Sequence, residues 1–323
     1  MSQQRTYLQV DVFTATPYLG NPLGVVVDGS GLSEEAMQQF ARWTNLSETT
    51  FLLPPTPDAQ AQGADYQVRI FTPAYEMAFA GHPTVGSCHA WLAQGGVARN
   101  PDLIVQQCKV GLVKIRPSQT TTGVRLAFAA PPLTRTNPGA AVLAQAAAAL
   151  GLRSDQLVAA QILNNGPSHL GLLVDSVDTV LSISPDFAAL QNRLPQWGVT
   201  GVGVVALEGA QASANLIVRS NREARAFAGS GGGADQRAVQ EPTAEVRFFF
   251  AGDNVVSEDR VTGSFNASLA QWLITEGLAP RSYVAQQGCC LGGDGRVHIA
   301  IDDSDQVWVG GDAVTCISGI VTL

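Results

Sequence analysis

No stretch of this chain approaches the roughly eighteen uninterrupted apolar residues of a membrane-spanning helix. The start, Met1-Ser2-Gln3-Gln4-Arg5, shows no hydrophobic signal region and no cleavage site. A cytoplasmic protein with no membrane partner is the expectation. Charge is scarce too: only 14% of the residues are charged, so much of the surface must be small and neutral. What charge there is sums to -8. That argues against the basic footprint of a nucleic-acid binder, but a small anion held by local dipoles stays open. Cysteine is sparse and odd in number: Cys88, Cys108, Cys289, Cys290 and Cys316. Their spacings match no C-x-x-C metal pair, and adjacent Cys289 and Cys290 have poor geometry for a shared bond. Most read as buried apolar fillers in a reducing compartment. Without a third ligand at usable spacing, no metal is expected.

What the chain does have is 46% hydrophobic residues over 323 positions, enough for two domains or one large one. Alternation predicts strands at Tyr7–Phe13, Leu23–Val27, Thr50–Leu53 and Tyr66–Phe71. Gly20-Asn21-Pro22 reads as a turn. Ser33 is placed to cap a helix with Glu34 and Glu35 in its first turn. Met37, Phe40, Ala41 and Trp43-Thr44 supply that helix's apolar face. More strands follow at Leu103–Gln107, Gly111–Arg116 and Gly123–Phe128, and Pro131-Pro132 reads as a boundary.

The second half repeats the plan. Ala140–Leu150 and Asp186–Asn192 read as helices. Strands are expected at Ala159–Leu163, Leu170–Val174, Gly201–Leu207, Val246–Phe250, Arg296–Ile301, Gln306–Val309 and Ala313–Leu323. Each half also holds one nearly uncharged helix behind a glycine-containing turn, Gly81–Leu92 and Thr262–Leu273. Such helices are normally buried. The spacing is a weak internal repeat of about 180 residues. An α+β fold of two barrel-like lobes is expected, each wrapped around its own helix, with the two helix N-termini facing across a cleft. Backbone N–H groups there would hold a carboxylate. The Gln211–Pro242 segment has a glycine run but no Lys-Ser/Thr of a phosphate loop, and reads as a loop or insertion.

Within this pattern one carboxylate stands out. Asn45-Leu46-Ser47-Glu48-Thr49-Thr50-Phe51 sets Glu48 among hydroxyls and apolar groups. Poor solvation there should raise its pKa into the range useful for proton transfer. A helix-flanking Glu is ordinarily exposed; two further dense segments shift the balance. Phe79-Ala80-Gly81-His82-Pro83-Thr84 puts a histidine at a helix start, and Glu258-Asp259-Arg260-Val261-Thr262-Gly263-Ser264 precedes the other uncharged helix. Structural roles compete: His82 bonding a carbonyl, Asp259 or Ser264 capping a helix. His89 reads as a satisfied core histidine, and His169 and His298 as strand residues with no partner in view.

These blocks, with Val10-Asp11-Val12-Phe13-Thr14, Gly20-Asn21-Pro22-Leu23, Arg69-Ile70-Phe71-Thr72-Pro73, Asn165-Gly166-Pro167 and Val309-Gly310-Gly311, run end to end in order. The chain resembles the PhzF-like isomerases, within the diaminopimelate-epimerase fold. The resemblance implies two pseudo-symmetric lobes: residues 1–131, joined by a returning C-terminal strand at about 310–323, and residues 132–309. It implies a glutamate, here Glu48, shuttling a proton between carbons of an acid such as trans-2,3-dihydro-3-hydroxyanthranilate, with no cofactor or metal. Gly81, His82, Asp259, Gly263 and Ser264 would bind that small-molecule carboxylic acid. A homodimer is the expected assembly.

Epimerase relatives use two cysteines on opposite faces of one carbon. The corresponding turns here, Ala80-Gly81-His82-Pro83 and Arg260-Val261-Thr262-Gly263, contain no thiol. A carboxylate-driven shift therefore fits better. An amino-acid racemase or epimerase, or a non-catalytic metabolite- or protein-binding member, remain the alternatives. Ala78, Arg260 and Phe265-Asn266 depart from the family pattern, and Arg260 and Phe265 are expected near the cleft, where they bear on substrate choice.

Overall fold

Short alternating runs form strands here, and the two charge-poor runs form helices inside them. A computed structural model describes residues 2–121, 123–208, 243–251 and 256–323. The Gln211–Pro242 segment lies outside the described residues. The first half contains β1 (Gln4–Val12), β2 (Asn21–Val26), α1 (Glu34–Thr44), β3 (Glu48–Leu53), α2 (Pro57–Ala61), β4 (Tyr66–Phe71) and β5 (Glu76–Met77). It continues with α3 (Gly81–Ala93), β6 (Ile104–Cys108), β7 (Gly111–Thr120) and β8 (Gly123–Ala129). Then follow β9 (Thr134–Thr136), α4 (Ala140–Leu150), β10 (Leu157–Asn164), β11 (Ser168–Val174), α5 (Val177–Ser182), α6 (Phe187–Trp197) and β12 (Gly201–Leu207). The rest is β13 (Ala244–Ala251), β14 (Val256–Asp259), α7 (Gly263–Thr275), β15 (Ser282–Gln287), β16 (Gly295–Ile301), β17 (Val307–Gly311) and β18 (Ala313–Thr322).

The strand pairings reveal the repeat. In the first half β1–β2 is antiparallel, β2–β3 parallel, β3–β4 antiparallel, β4–β6 parallel, and β6–β7–β8 antiparallel. In the second, β10–β11 is antiparallel, β11–β12 parallel, β12–β13 antiparallel, β13–β15 parallel, and β15–β16–β17 antiparallel. The halves exchange strands symmetrically. β9, which follows β8, pairs with β10, and β18, which follows β17, pairs with β1. β8 also pairs with β17, so the strands form one continuous sheet.

Neither α3 nor α7 contains an Asp, Glu, Lys or Arg. A helix apolar on every face must bury every face. α3 packs against β1, β2, β3, β8 and β18, and α7 against β10, β16 and β17. Gly86 is needed for this approach, since a Cβ there would sit 2.6 Å from Leu23 and 2.7 Å from Val12 side-chain carbons. Outside the sheet, Ser33 caps α1 by accepting from the Ala36 N–H. α1 buries Met37, Phe40 and Ala41 against Val26, Phe51 and Phe71. In the second half α4, α5 and α6 cover the equivalent outer face.

Several expectations need correcting. Trp43 is 79% exposed and stacks on Phe40 from outside, so it is not part of the apolar face of α1. Asn21 and Pro22 already belong to β2, because their backbones pair with β1. Only Cys88 and Cys108 are buried; Cys289 and Cys316 are half-buried and Cys290 is exposed. The Cys289–Cys290 pair sits in a short surface turn, where Cys289 donates to Glu245 rather than filling a core. α2, α5, β5, β9, β14 and β15 are not visible in the pattern because they are short or carry polar residues on buried faces, as Gln287 does in β15.

The interior tolerates no extra volume beside α7. A Cβ on Gly203 in β12 would lie 2.2 Å from the fully buried Phe265 ring. Gly203→Ala should destabilise the protein by about 1–3 kcal/mol through overpacking. Gly319→Ala on β18, where a Cβ meets no atom within 4 Å, should stay within about 0.5 kcal/mol. Urea denaturation of both variants measures the difference; equal midpoints would contradict the packing described.

Candidate active site

α3 and α7 begin at the same point in space. A Cβ on Gly263 would lie 3.0 Å from the Gly81 Cα and 3.2 Å from the His82 nitrogen. The two first turns touch backbone to backbone, which only glycine allows. Neither Ala80 nor Thr262, the capping positions, supplies a side-chain cap to its helix. The first N–H groups of a helix have no partner within the helix, and each N-terminus carries about half a positive charge. A cavity of about 610 Å³ opens at this junction. Glu48, Gly81, His82, Asp259, Gly263 and Ser264 all line it.

Glu48 is the first residue of β3, held beside Leu23 of β2 by parallel pairing. Only 15% of its side chain is exposed. Burial, reinforced by the neighbouring Asp259 carboxylate and opposed by the Ser47 hydroxyl, pushes its pKa up to about 8. Its Oε2 lies 3.4 Å from His82 Nδ1. Glu48 Oε2 and His82 Nε2 are nevertheless buried without a hydrogen-bond partner. Burial holds His82 down to about 3, with the Pro22 carbonyl opposing, so its imidazole is neutral. The contact is therefore one between an acid and a neutral ring.

Asp259 ends β14 and is fixed from both halves of the chain. Asn21 Nδ2 donates to its Oδ1 at 3.0 Å and to the Val261 carbonyl at 2.9 Å. Thr262 Oγ1 donates to Oδ2 at 2.7 Å. Burial raises the Asp259 pKa to about 6, and these hydrogen bonds hold it from rising further. Gln287 locks the turn: its Oε1 accepts from the Thr262 N–H and from Asn266, and its Nε2 donates to Thr262 Oγ1. Asp259 is thus not the helix cap; Thr262 occupies that position. Ser264 is not a cap either, since it lies within the first turn of α7.

Some residues play different parts from those expected. His169 also lines the cavity, with Nε2 at 3.4 Å from Ser264 Oγ and Nδ1 at 3.3 Å from Thr200 Oγ1. The sequence signal was its place two residues after Asn165-Gly166-Pro167. His298 has a partner as well, Arg125, at 3.1 Å. His89 pairs with Thr315 at 3.0 Å. Tyr75, Met77, Phe248 and Phe250 give the cavity an apolar wall that motif reading missed. Arg260 and Phe265 are not among its lining residues; Phe265 packs behind His169. No cysteine lines the cavity among the described residues, and burial lifts the Cys88 thiol to about 12. Among the described residues no cluster of three His, Cys, Asp or Glu side chains is placed to hold a metal, and no helix is long and apolar enough to cross a membrane.

This architecture, a diaminopimelate-epimerase-like fold, is that of known proteins. A Bacillus anthracis phenazine biosynthesis protein of the PhzF family superposes with a TM-score of 0.76 at 22% identity, covering 99% of this chain and 100% of that one. Residues 10–220 and 195–319 match the PhzC-PhzF family, described as phenazine biosynthesis-like protein, and the chain belongs to that family. It is 30% identical to the Schizosaccharomyces pombe protein called Antisense-enhancing sequence 1, over 98% of each chain. It is 35% identical to trans-2,3-dihydro-3-hydroxyanthranilate isomerase of Pseudomonas fluorescens, over 58% of this chain and 63% of that one. This kinship makes the protein an enzyme of the isomerase class.

The raised pKa of Glu48 sets a pH dependence. In the unfolded chain this carboxyl ionises near its ordinary value of 4.5, and in the folded protein near 8. Between these values the folded state holds the extra proton, so stability falls as pH rises through the window. Glu48→Gln removes this titration. The variant should gain melting temperature relative to the parent from pH 5 to pH 8, with the difference levelling above about pH 8. A difference independent of pH would show that Glu48 is not held protonated by the fold.

Proposed function

We propose that this protein moves a proton between two carbons of a small cyclic or unsaturated carboxylic acid, with Glu48 as the general acid/base. The observation that carries this is the buried Glu48 carboxyl, titrating near neutrality on the wall of a cavity where two helix N-termini converge. The substrate carboxylate lies against the free N–H groups at the starts of α3 and α7. Ionised Glu48 takes a proton from a carbon conjugated with that carboxylate. The C–H electrons move into the conjugated system as an enolate, whose charge the same N–H donors stabilise. Protonated Glu48 then returns the proton to another carbon on the same face. His82, with its partnerless Nε2, and Asp259, fixed by Asn21 and Thr262, line the path and orient polar substituents. Such a shift needs a base, an acid and fixed donors, all of which the chain supplies, so the reading is cofactor-independent.

Trans-2,3-dihydro-3-hydroxyanthranilate, named in the Pseudomonas relatives, is the first substrate to assay. With a turned-over acid in hand, Glu48→Gln should lower turnover by about two orders of magnitude or more, with the acid still bound. The parent's kcat/KM should rise with pH towards about 8, because the free enzyme must first ionise Glu48. Near-normal turnover by the variant would remove Glu48 from the mechanism.

A further inference from the structure

The two halves part company at the far ends of their central helices. Counted from Gly81 and Gly263, Gln271 holds in α7 the place that His89 holds in α3. Counted from the ends of β8 and β17, Leu133 holds the place of Thr315. In the first half this pair is satisfied, with His89 Nε2 3.0 Å from Thr315 Oγ1. In the second, leucine has no hydroxyl to offer. Gln271 Nε2 donates instead to the Pro131 carbonyl at 3.0 Å. A carbonyl only accepts, so this bond fixes which way the amide is turned. Gln271 Oε1 is left buried, with no hydrogen-bond partner among the described residues. Thr275, one turn further on, spends its hydroxyl proton on the Gln271 backbone carbonyl.

The exchanged strands differ as well. β18 has ten residues and pairs with β1 from Ala313 to Thr322. β9 has three, all paired with β10, before the chain turns towards α4. Beside the short strand a cavity of about 460 Å³ opens, a usual size for a small-molecule site. It shares no lining residue with the active cavity: α7 gives Gly263 and Ser264 to one, and Gln271, Ile274 and Thr275 to the other. Leu133, Ile274, Ile301 and Val307 make its wall apolar around the Gln271 amide. Arg135 and Arg281 line it too, but each already faces a carboxylate, Glu276 at 2.7 Å and Asp305 at 3.6 Å. An anionic ligand would compete with those partners. We infer that this cavity is a second binding site, for a neutral, largely apolar small molecule such as a heteroaromatic ring, carrying one N–H or O–H donor for Gln271 Oε1. The apolar body covers the aliphatic wall, and the donor completes an acceptor that the fold leaves open there.

Carbon-13 methyl NMR of the protein titrated with indole tests this. Ile274→Val and Ile301→Val assign those two signals by their loss, and Met77, assigned through Met77→Leu, reports the active cavity. Indole should shift the Ile274 and Ile301 signals saturably. It should bind about tenfold tighter than 1-methylindole, which keeps the ring and lacks the donor. Gln271→Leu should bring the two ligands to within about twofold of each other, since no acceptor is left to tell them apart. Unmoved Ile274 and Ile301 signals at millimolar indole, or a shift at Met77 alone, would overturn the inference and leave the proton-transfer reading intact. Equal binding of the two ligands to the parent, or a preference that survives Gln271→Leu, would overturn it as well. Should Gln271→Leu not fold, the comparison of the two ligands in the parent still decides.

Discussion

Two helices that start in contact constrain everything else in this protein. Gly81 and Gly263 meet with no room for a Cβ on either, so two uncapped helix N-termini point at one small volume. That arrangement favours a negative group there, because the first N–H groups of a helix have no partner within it and each N-terminus carries partial positive charge. It also suits this point of a chain of net charge -8 to an anion, through local dipoles and not through the whole surface.

Burial at the same junction keeps the nearby acids from ionising at their usual pH. Glu48 and Asp259 are both raised, and Glu48 the more, because Asp259 is supported by Asn21 and Thr262 while Glu48 Oε2 has no partner. Asn21 comes from the first half and Asp259 from the second, so one hydrogen bond couples the placement of the acids to the docking of the halves. Gln287 extends this network into β15, which explains why this glutamine is fully buried.

Much of this was legible in the sequence, for physical reasons that differ by residue. Charge-free runs behind glycine turns had to be buried helices, and α3 and α7 begin within a residue of the expected turns. Glu48, His82 and Ser264 stood in dense local motifs, so their gathering at one cavity followed once the helices were placed. The two-half plan was visible only as a spacing; the alternation of parallel and antiparallel pairings that defines it has no local signal. His169 escaped because its partner Ser264 lies 95 residues away and Thr200 lies 31 away. The role of Asn21 was hidden by a separation of 238 residues from Asp259. Trp43 and the surface cysteines were misread for the converse reason: hydrophobic character predicts burial only when the fold turns that side chain inward.

Burial at the helix junction holds Glu48 as an undissociated acid at neutral pH. Direct titration of its side-chain carboxyl by carbon-13 NMR, assigned by the signal missing from Glu48→Gln, tests this in the ligand-free protein. An apparent pKa near 8 is expected, well above the ordinary carboxyl value of 4.5. A midpoint close to 4.5 would contradict it.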